Sequence, residues 1–193
     1  MGIYGADYGS SVCRAYVVRS EDGGARWGTP ALIAQDPEGR LSFEEPALVH
    51  TGKGHLLAML RCGEGGKYQY LYQASSFDEG RSWVDLKRTP MWGHPAHLLR
   101  LADDRLLCSY GYRRSPFGVR ACVSEDQGVT WKIEQEIVLR DDGGSRDLGY
   151  PSSLQLGDGT LVTVYYIHGP DGVRHIAATR WQLPDHRGVV LAG

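Results

Sequence analysis

The sequence predicts an all-β fold of repeated four-stranded antiparallel units, and three observations carry that expectation. An eight-residue pattern, Ser-x-Asp-x-Gly-x-x-Trp, occurs three times, starting at Ser20, Ser76 and Ser124. Recurrence at separations of 56 and 48 residues marks a repeat architecture. Upstream of the second and third copies, Pro46 and Pro95 each open a pair of apolar runs joined by a polar turn, 30 and 29 residues before the serine of the pattern. Lastly, 26 glycines and 10% aromatic residues suit turn-dense sheets, and no window sustains a 3.6-residue apolar period.

Each copy of the pattern follows one short apolar run and precedes another, so it reads as a turn between antiparallel strands. The working positions are Ser20, Asp22, Gly24 and Trp27 in the first copy, Ser76, Asp78, Gly80 and Trp83 in the second, and Ser124, Asp126, Gly128 and Trp131 in the third. Ser and Asp can bond the amides of their own turn, Gly supplies a positive φ, and Trp supplies a large apolar plug. The pattern resembles the Asp-box, or bacterial neuraminidase repeat, of sialidases and related β-propellers, and the resemblance extends through most of the chain. The box marks a fold and not an activity.

Taken in order, Met1–Gly5 reads as the end of a second strand, followed by a third strand, the first box and a fourth strand. Residues 1–34 are therefore an incomplete unit lacking its innermost strand. Residues 44–88 hold Glu45-Pro46-Ala47-Leu48-Val49, the return run Gly54–Leu60, and strands on either side of the second box. Residues 94–139 repeat that plan from His94-Pro95-Ala96-His97. Residues 150–182 begin it again at Tyr150-Pro151 and run to Val173–Trp181, with a degenerate box expected at Ala178-Thr179-Arg180-Trp181. Whether Gly188–Gly193 adds a fourth strand stays open. A four-stranded meander is one propeller blade, so 1–193 reads as a single partial domain of about four blades. The resemblance implies a six-bladed ring, of which this chain resembles the C-terminal two-thirds of a bacterial exo-sialidase-like protein.

A net charge of -2 provides no long-range field for nucleic acid or an anionic membrane, so an anion must be held by a local group of arginines or lysines. Cys13, Cys62, Cys108 and Cys122 lack metal-ligand spacing and read as reduced core thiols. Together with no visible signal peptide they lean toward a reducing, cytoplasmic compartment. His94 and His97 lack a third ligand at suitable spacing, and Asp141-Asp142-Gly143-Gly144 lacks the alternating oxygen series of a cation loop and reads as a solvated turn. No metal or organic cofactor is expected.

In an up-and-down blade, the start of strand 1 and the loop after strand 2 share one face, while the turn between strands 3 and 4 lies on the other. The box aspartates are thus expected to be structural. The opposite face collects Glu44, Glu45, His94, His97 and Tyr150 from strand starts, and Arg61, Tyr68, Tyr110, Arg113, Arg114 and Arg120 from strand 2 ends and following segments.

The resemblance gives these residue types roles. A sialidase acts on a 2-keto sugar acid, whose carboxylate planar guanidinium groups can grip at two points. In that family a Tyr, rather than a carboxylate, is the nucleophile, and a phenol with an ordinary pKa near 10 needs a neighbouring base. Gly149-Tyr150-Pro151-Ser152-Ser153-Leu154 is similar to the family segment that carries the nucleophile, with Pro151 in place of the usual Ser. The resemblance makes Tyr150 the candidate nucleophile and Glu45 its base, with Glu44 equally placed. Arg61 and one of Arg113, Arg114 or Arg120 would hold the carboxylate, with His94 and Tyr110 beside them. The family's first clamp arginine and its acid/base Asp have no counterpart here, and Asp7 stands in the wrong context. The expected partner is a sialylated or other acidic glycan, and unclosed blade edges are expected to promote self-association. A non-catalytic glycan-binding propeller, a glycosidase for another anionic sugar and a plain scaffold remain open alternatives.

Overall fold

The computed structural model describes residues 1–65, 67–169 and 171–183. Within them lie four antiparallel sheets, arranged as the successive blades of a β-propeller. The first contains β1 (Gly2–Gly5), β2 (Arg14–Val17) and β3 (Ala31–Ala34) in that order. The second contains β4 (Leu41–Gly52), β5 (His55–Glu64), a two-residue β6 (Lys67–Tyr68) that pairs back on β5, β7 (Tyr70–Ser76) and β8 (Val84–Trp92). The third runs β9 (Ala96–Arg100), β10 (Leu106–Tyr112), β11 (Phe117–Ser124) and β12 (Ile137–Gly143), with a single 3-10 turn at Ile133–Gln135. The fourth holds β13 (Gly149–Gln155), β14 (Leu161–His168) and β15 (Arg174–Trp181). Within each sheet the strands pair antiparallel in sequence order, β7 reaching past the two-residue β6 to pair with β5.

The hydrophobic core is divided among the gaps between consecutive sheets. Ala15, Val17 and Ile33 meet Phe43, Ala58 and Leu60 in the first gap. Leu57, Met59 and Leu71 meet Leu98, Leu106 and Tyr110 in the second, and Leu107, Val119 and Ala121 meet Leu161, Tyr165 and Ile167 in the third. Burial of each such aliphatic or aromatic side chain stabilises by about 1.5–3 kcal/mol, so neighbouring blades hold one another.

The three boxes fold alike. In each, the serine hydroxyl donates to the aspartate at 2.8–2.9 Å and accepts the glycine amide at 2.8 Å. The aspartate also accepts the amide four residues on, at 2.8–2.9 Å. Ser82 and Thr130 add a hydroxyl bond of 2.6 Å to the second carboxylate oxygen, which Arg26 cannot supply. Trp131 is 6% exposed, and its Nε1 donates to Gln73 of the preceding blade at 2.7 Å. Trp83 packs on the cluster containing Ala15 and Val17. Trp27 is 48% exposed.

Several expectations require correction. Ala178-Thr179-Arg180-Trp181 form no turn; they pair with Leu161–Val164 inside β15, and Trp181 Nε1 donates to Thr163. Asp141–Gly143 belong to β12 rather than to a solvated turn, and Arg140 pairs with Asp142. The strands of the second blade begin at Leu41 and end at Trp92, and those of the third end at Gly143. Gly188–Gly193 lie outside the described residues. The cysteines need no correction: Cys13, Cys62, Cys108 and Cys122 are free thiols, the last three buried, with Cys108 directly opposite Cys122 on paired strands.

Candidate active site

The backbone builds the site by repeating one device. On β4 two residues, Glu45 and Pro46, stand opposite Leu60 alone, because Glu44 pairs with Arg61 and Ala47 with Met59. On β13 two residues, Tyr150 and Pro151, stand opposite Tyr165 alone, because Gly149 pairs with Tyr166 and Ser152 with Val164. These are bulges at the same position of two blades, and a bulge re-aims a side chain out of the ladder. Both bulge residues are left-handed, Glu45 with φ 45° and Tyr150 with φ 50°. For residues with a Cβ such a conformation costs on the order of 1–3 kcal/mol and concentrates at functional sites.

The strain brings together groups 105 residues apart: the Tyr150 hydroxyl donates to Glu45 Oε1. Arg61 Nη1 donates to both oxygens of the same Glu45 carboxylate, at 3.2 and 3.4 Å. Glu44 does not take this place. Its carboxylate accepts the Tyr68 hydroxyl at 3.1 Å on each oxygen and the Ser42 hydroxyl at 3.0 Å, and its Oε2 lies 3.7 Å from Arg61 Nε. The Arg61 guanidinium covers the Tyr68 ring at 3.7 Å.

Arg113 faces the same centre from the next blade. Its Nη2 donates to the Tyr166 hydroxyl at 3.5 Å, and Tyr166 donates to Asp147 at 2.8 Å, which also pairs with Arg174. Close backbone approach makes this convergence possible. A Cβ on Gly111 would lie 2.8 Å from the His94 carbonyl and 3.0 Å from Gly149 Cα, so only glycine fits at the end of β10.

Other residues named from sequence lie elsewhere. Tyr110 is fully buried and donates to Glu136. Arg120, 4% exposed, gives its Nη1 to the Arg140 carbonyl and lies 3.8 Å from Glu136, so neither side chain is open to a ligand. Arg114 stacks on Trp92 at 4.6 Å and donates to the Tyr112 hydroxyl at 2.7 Å. His94, 2% exposed, is packed between Tyr68 and Trp92 and is not open to a ligand. Burial above all, with help from Arg113, Arg61 and Arg146, pushes it down to about 3, so it is neutral. His97 accepts the Ser153 amide. Among the described residues no group of three or more His, Cys, Asp or Glu could hold a metal ion.

Tyr166 and Asp147 were not singled out by the sequence. Tyr166 occupies the repeat position of Arg61, opposite the residue before the bulge, and aligning the blades by register would have found it. Asp147 sits in a loop with no motif. Tyr4, on the first blade, joins Glu45, Pro46, Pro95, Tyr150 and Pro151 around an open depression of about 260 Å³.

Electrostatics keep the phenol protonated. Burial, then the Glu45 hydrogen bond and charge, push Tyr150 up to about 12, against the opposing pull of Arg61 and Arg113. Tyr68 is also raised, by burial and then Glu44. The box aspartates stand at the far end of the blade. β5 runs from Leu56, opposite Ser76 of the box, to Arg61, opposite Glu44. Five residues of strand separate the two ends by about 17 Å.

A sequence profile of the BNR repeat-like domain matches residues 3–163. A solved protein of unknown function from Dyadobacter fermentans DSM 18053 is 36% identical, with a TM-score of 0.79, over 90% of this chain and 46% of that one. An intramolecular trans-sialidase from Ruminococcus gnavus, in complex with oseltamivir carboxylate, is 15% identical with a TM-score of 0.66, over 88% of this chain and 62% of that one. A xylan beta-1,4-xylosidase from Bacillus halodurans C-125 is 14% identical with a TM-score of 0.61, over 90% and 37%. The last two show likeness of fold alone. The chain spans about half the length of the Dyadobacter protein and less than two thirds of each of the others. No curated protein matches it.

Proposed function

The chain belongs to the BNR repeat-like domain family, and on that premise we propose that it carries the reacting half of a retaining exo-glycosidase site for a sialic acid or related 2-keto sugar acid. One observation supports the reading above the rest: the Tyr150 hydroxyl donates to Glu45 while Arg61 grips the same carboxylate. A phenol with a ready base, beside guanidinium groups, suits a sugar whose own carboxylate would repel an anionic nucleophile.

In the proposed reaction, Arg61 and Arg113 hold the substrate carboxylate. Tyr150 Oη attacks the anomeric carbon as its proton passes to Glu45, and the bond from that carbon to the leaving-group oxygen breaks, that oxygen taking a proton from solvent. A water then attacks the same carbon and loses a proton to solvent, while Glu45 returns its proton to the departing phenol oxygen. Two displacements retain configuration. The pKa near 12 fits a phenol that ionises only as the new bond forms.

A uronic acid is the second candidate substrate, its carboxylate standing across the ring oxygen from the anomeric carbon, where Arg61 or Arg113 could still hold it. Release of aryl alcohol from an aryl sialoside, compared with an aryl uronide, separates the two. Tyr150→Phe should abolish most turnover of the preferred substrate with little change in affinity, because the hydroxyl is lost and the arginines remain. Equal turnover by Tyr150→Phe and the parent would sink the mechanism.

A further inference from the structure

Arg61 stands between two carboxylates, yet only one of them bonds it. Glu45 accepts from Nη1, whereas Glu44 Oε2 stops 3.7 Å from Nε, beyond hydrogen-bond length, and that buried Nε has no hydrogen-bond partner. The Glu44 oxygens are occupied instead, by the Tyr68 hydroxyl at 3.1 Å to each and by Ser42 at 3.0 Å to Oε1. Tyr68 reaches this place because β6 folds it back over Gly63, its partner in the ladder. A Cβ on Gly63 would lie 2.9 Å from the Tyr68 ring. The guanidinium carbon of Arg61 lies over the same ring, 3.7 Å from its centre.

We infer that Tyr68 is a positioning residue that holds the Glu44 carboxylate off Arg61, leaving guanidinium donors free for the carboxylate of a sugar acid. An arginine has five N–H donors, and a carboxylate in fork-to-fork contact consumes two of them. With Glu45 already on Nη1, closure of Glu44 onto Nε would leave only the Nη2 donors for a ligand and draw a second carboxylate into hydrogen-bond contact with the guanidinium. A third carboxylate would then be repelled. Tyr68 thus sets selectivity for an anionic over a neutral sugar, without touching the reacting atoms. The inference rests on the reading of Arg61 as the substrate's anion clamp, but its geometric half stands independently.

The test uses the 193-residue chain, its Tyr68→Phe variant and the double variant Tyr68→Phe/Glu44→Gln. The Phe ring preserves the stack on Arg61. Crystal structures report the distance from Glu44 to Arg61 Nε, and calorimetry reports affinity for N-acetylneuraminic acid and for its neutral methyl ester. In Tyr68→Phe, Glu44 should close to about 3 Å from Nε, affinity for the acid should fall about tenfold, the scale of one charge-assisted bond, and affinity for the ester should stay level. The double variant should regain the acid, a rescue that a merely structural tyrosine would not give. Should Tyr68→Phe fail to fold, Glu44→Gln alone answers, with acid binding at least as tight as in the parent expected and a clear loss overturning the inference. Glu44 unmoved in Tyr68→Phe, or no rescue in the double variant, overturns it as well. Closure of Glu44 in a chain whose parent binds no sugar acid supports the hold by Tyr68 and overturns the reading of Arg61.

Discussion

Glu45 and Arg61 act on the Tyr150 proton with opposite sign. The carboxylate accepts the hydroxyl and raises its pKa, whereas the guanidinium favours the phenolate and lowers it. Glu45→Ala should therefore lower the midpoint at which Tyr150 ionises, and Arg61→Ala should raise it. Titration of the ring carbon bearing the hydroxyl by NMR reads both, and two shifts of the same sign would contradict the arrangement. Arg61→Ala should also weaken sugar-acid binding and turnover together, since the clamp serves the ground and transition states alike. Part of this site was legible because residue type and repeat position coincide: Tyr150, Glu45 and Arg61 all sit where strands enter or leave the mouth. Burial was not legible. Tyr110 and Arg120 occupy mouth-side strand positions, but their side chains turn to Glu136 and, for Arg120, to the Arg140 carbonyl. The choice between Glu44 and Glu45 also needed coordinates, because a bulge decides which of two adjacent side chains points at Tyr150.

At the scale of the element, the box is one structure in three settings. Ser124 and the Gly128 amide it bonds are both buried, whereas Gly24, bonded by Ser20, is exposed. Ser124→Ala strands a buried donor and should cost about 1–3 kcal/mol. Ser20→Ala leaves an amide that water can reach and should cost well under about 1 kcal/mol, within the ordinary net range of an exposed bond. Chemical denaturation of the two variants checks the ordering, and equal losses would refute it. The boxes were readable because every working atom lies within eight residues of sequence. The false box at Ala178–Trp181 shares only the tryptophan; without Ser, Asp and Gly nothing stops β15 from pairing along its full length with β14. The bulges escaped notice because a Pro after a strand start is compatible with both a regular and a bulged strand, and only the partner strand distinguishes them.

At the scale of the molecule, the blades are stacked through shared clusters, and the two outer blades each keep a face without a following partner among the described residues. Leu32 on the first and Val164 and Ile176 on the last are exposed, as is Trp27, whose counterparts Trp83 and Trp131 are packed against a neighbouring blade. We propose that these faces associate in the isolated chain, as exposed apolar sheet surface does. Light scattering should report a mass that rises with concentration, and Ile176→Lys should reduce it; a strict monomer at all concentrations would contradict the proposal. Blade number and order were legible from the repeat period, since each unit carries its own strands and turns. Contact across 105 residues was not, because closure of the mouth depends on how four blades pack. The central claim is that Tyr150 forms a bond to the anomeric carbon. Its most direct test is mass spectrometry of the chain after incubation with a 3-fluorosialosyl fluoride. Fluoride departs without a proton donor, so the labelling depends on the groups described above, and the ring fluorine slows release of the adduct by disfavouring the oxocarbenium-like transition state. The account predicts one added sialosyl group on the peptide containing Tyr150, absent in Tyr150→Phe. An unmodified Tyr150, or equal labelling of the Phe variant, would contradict it.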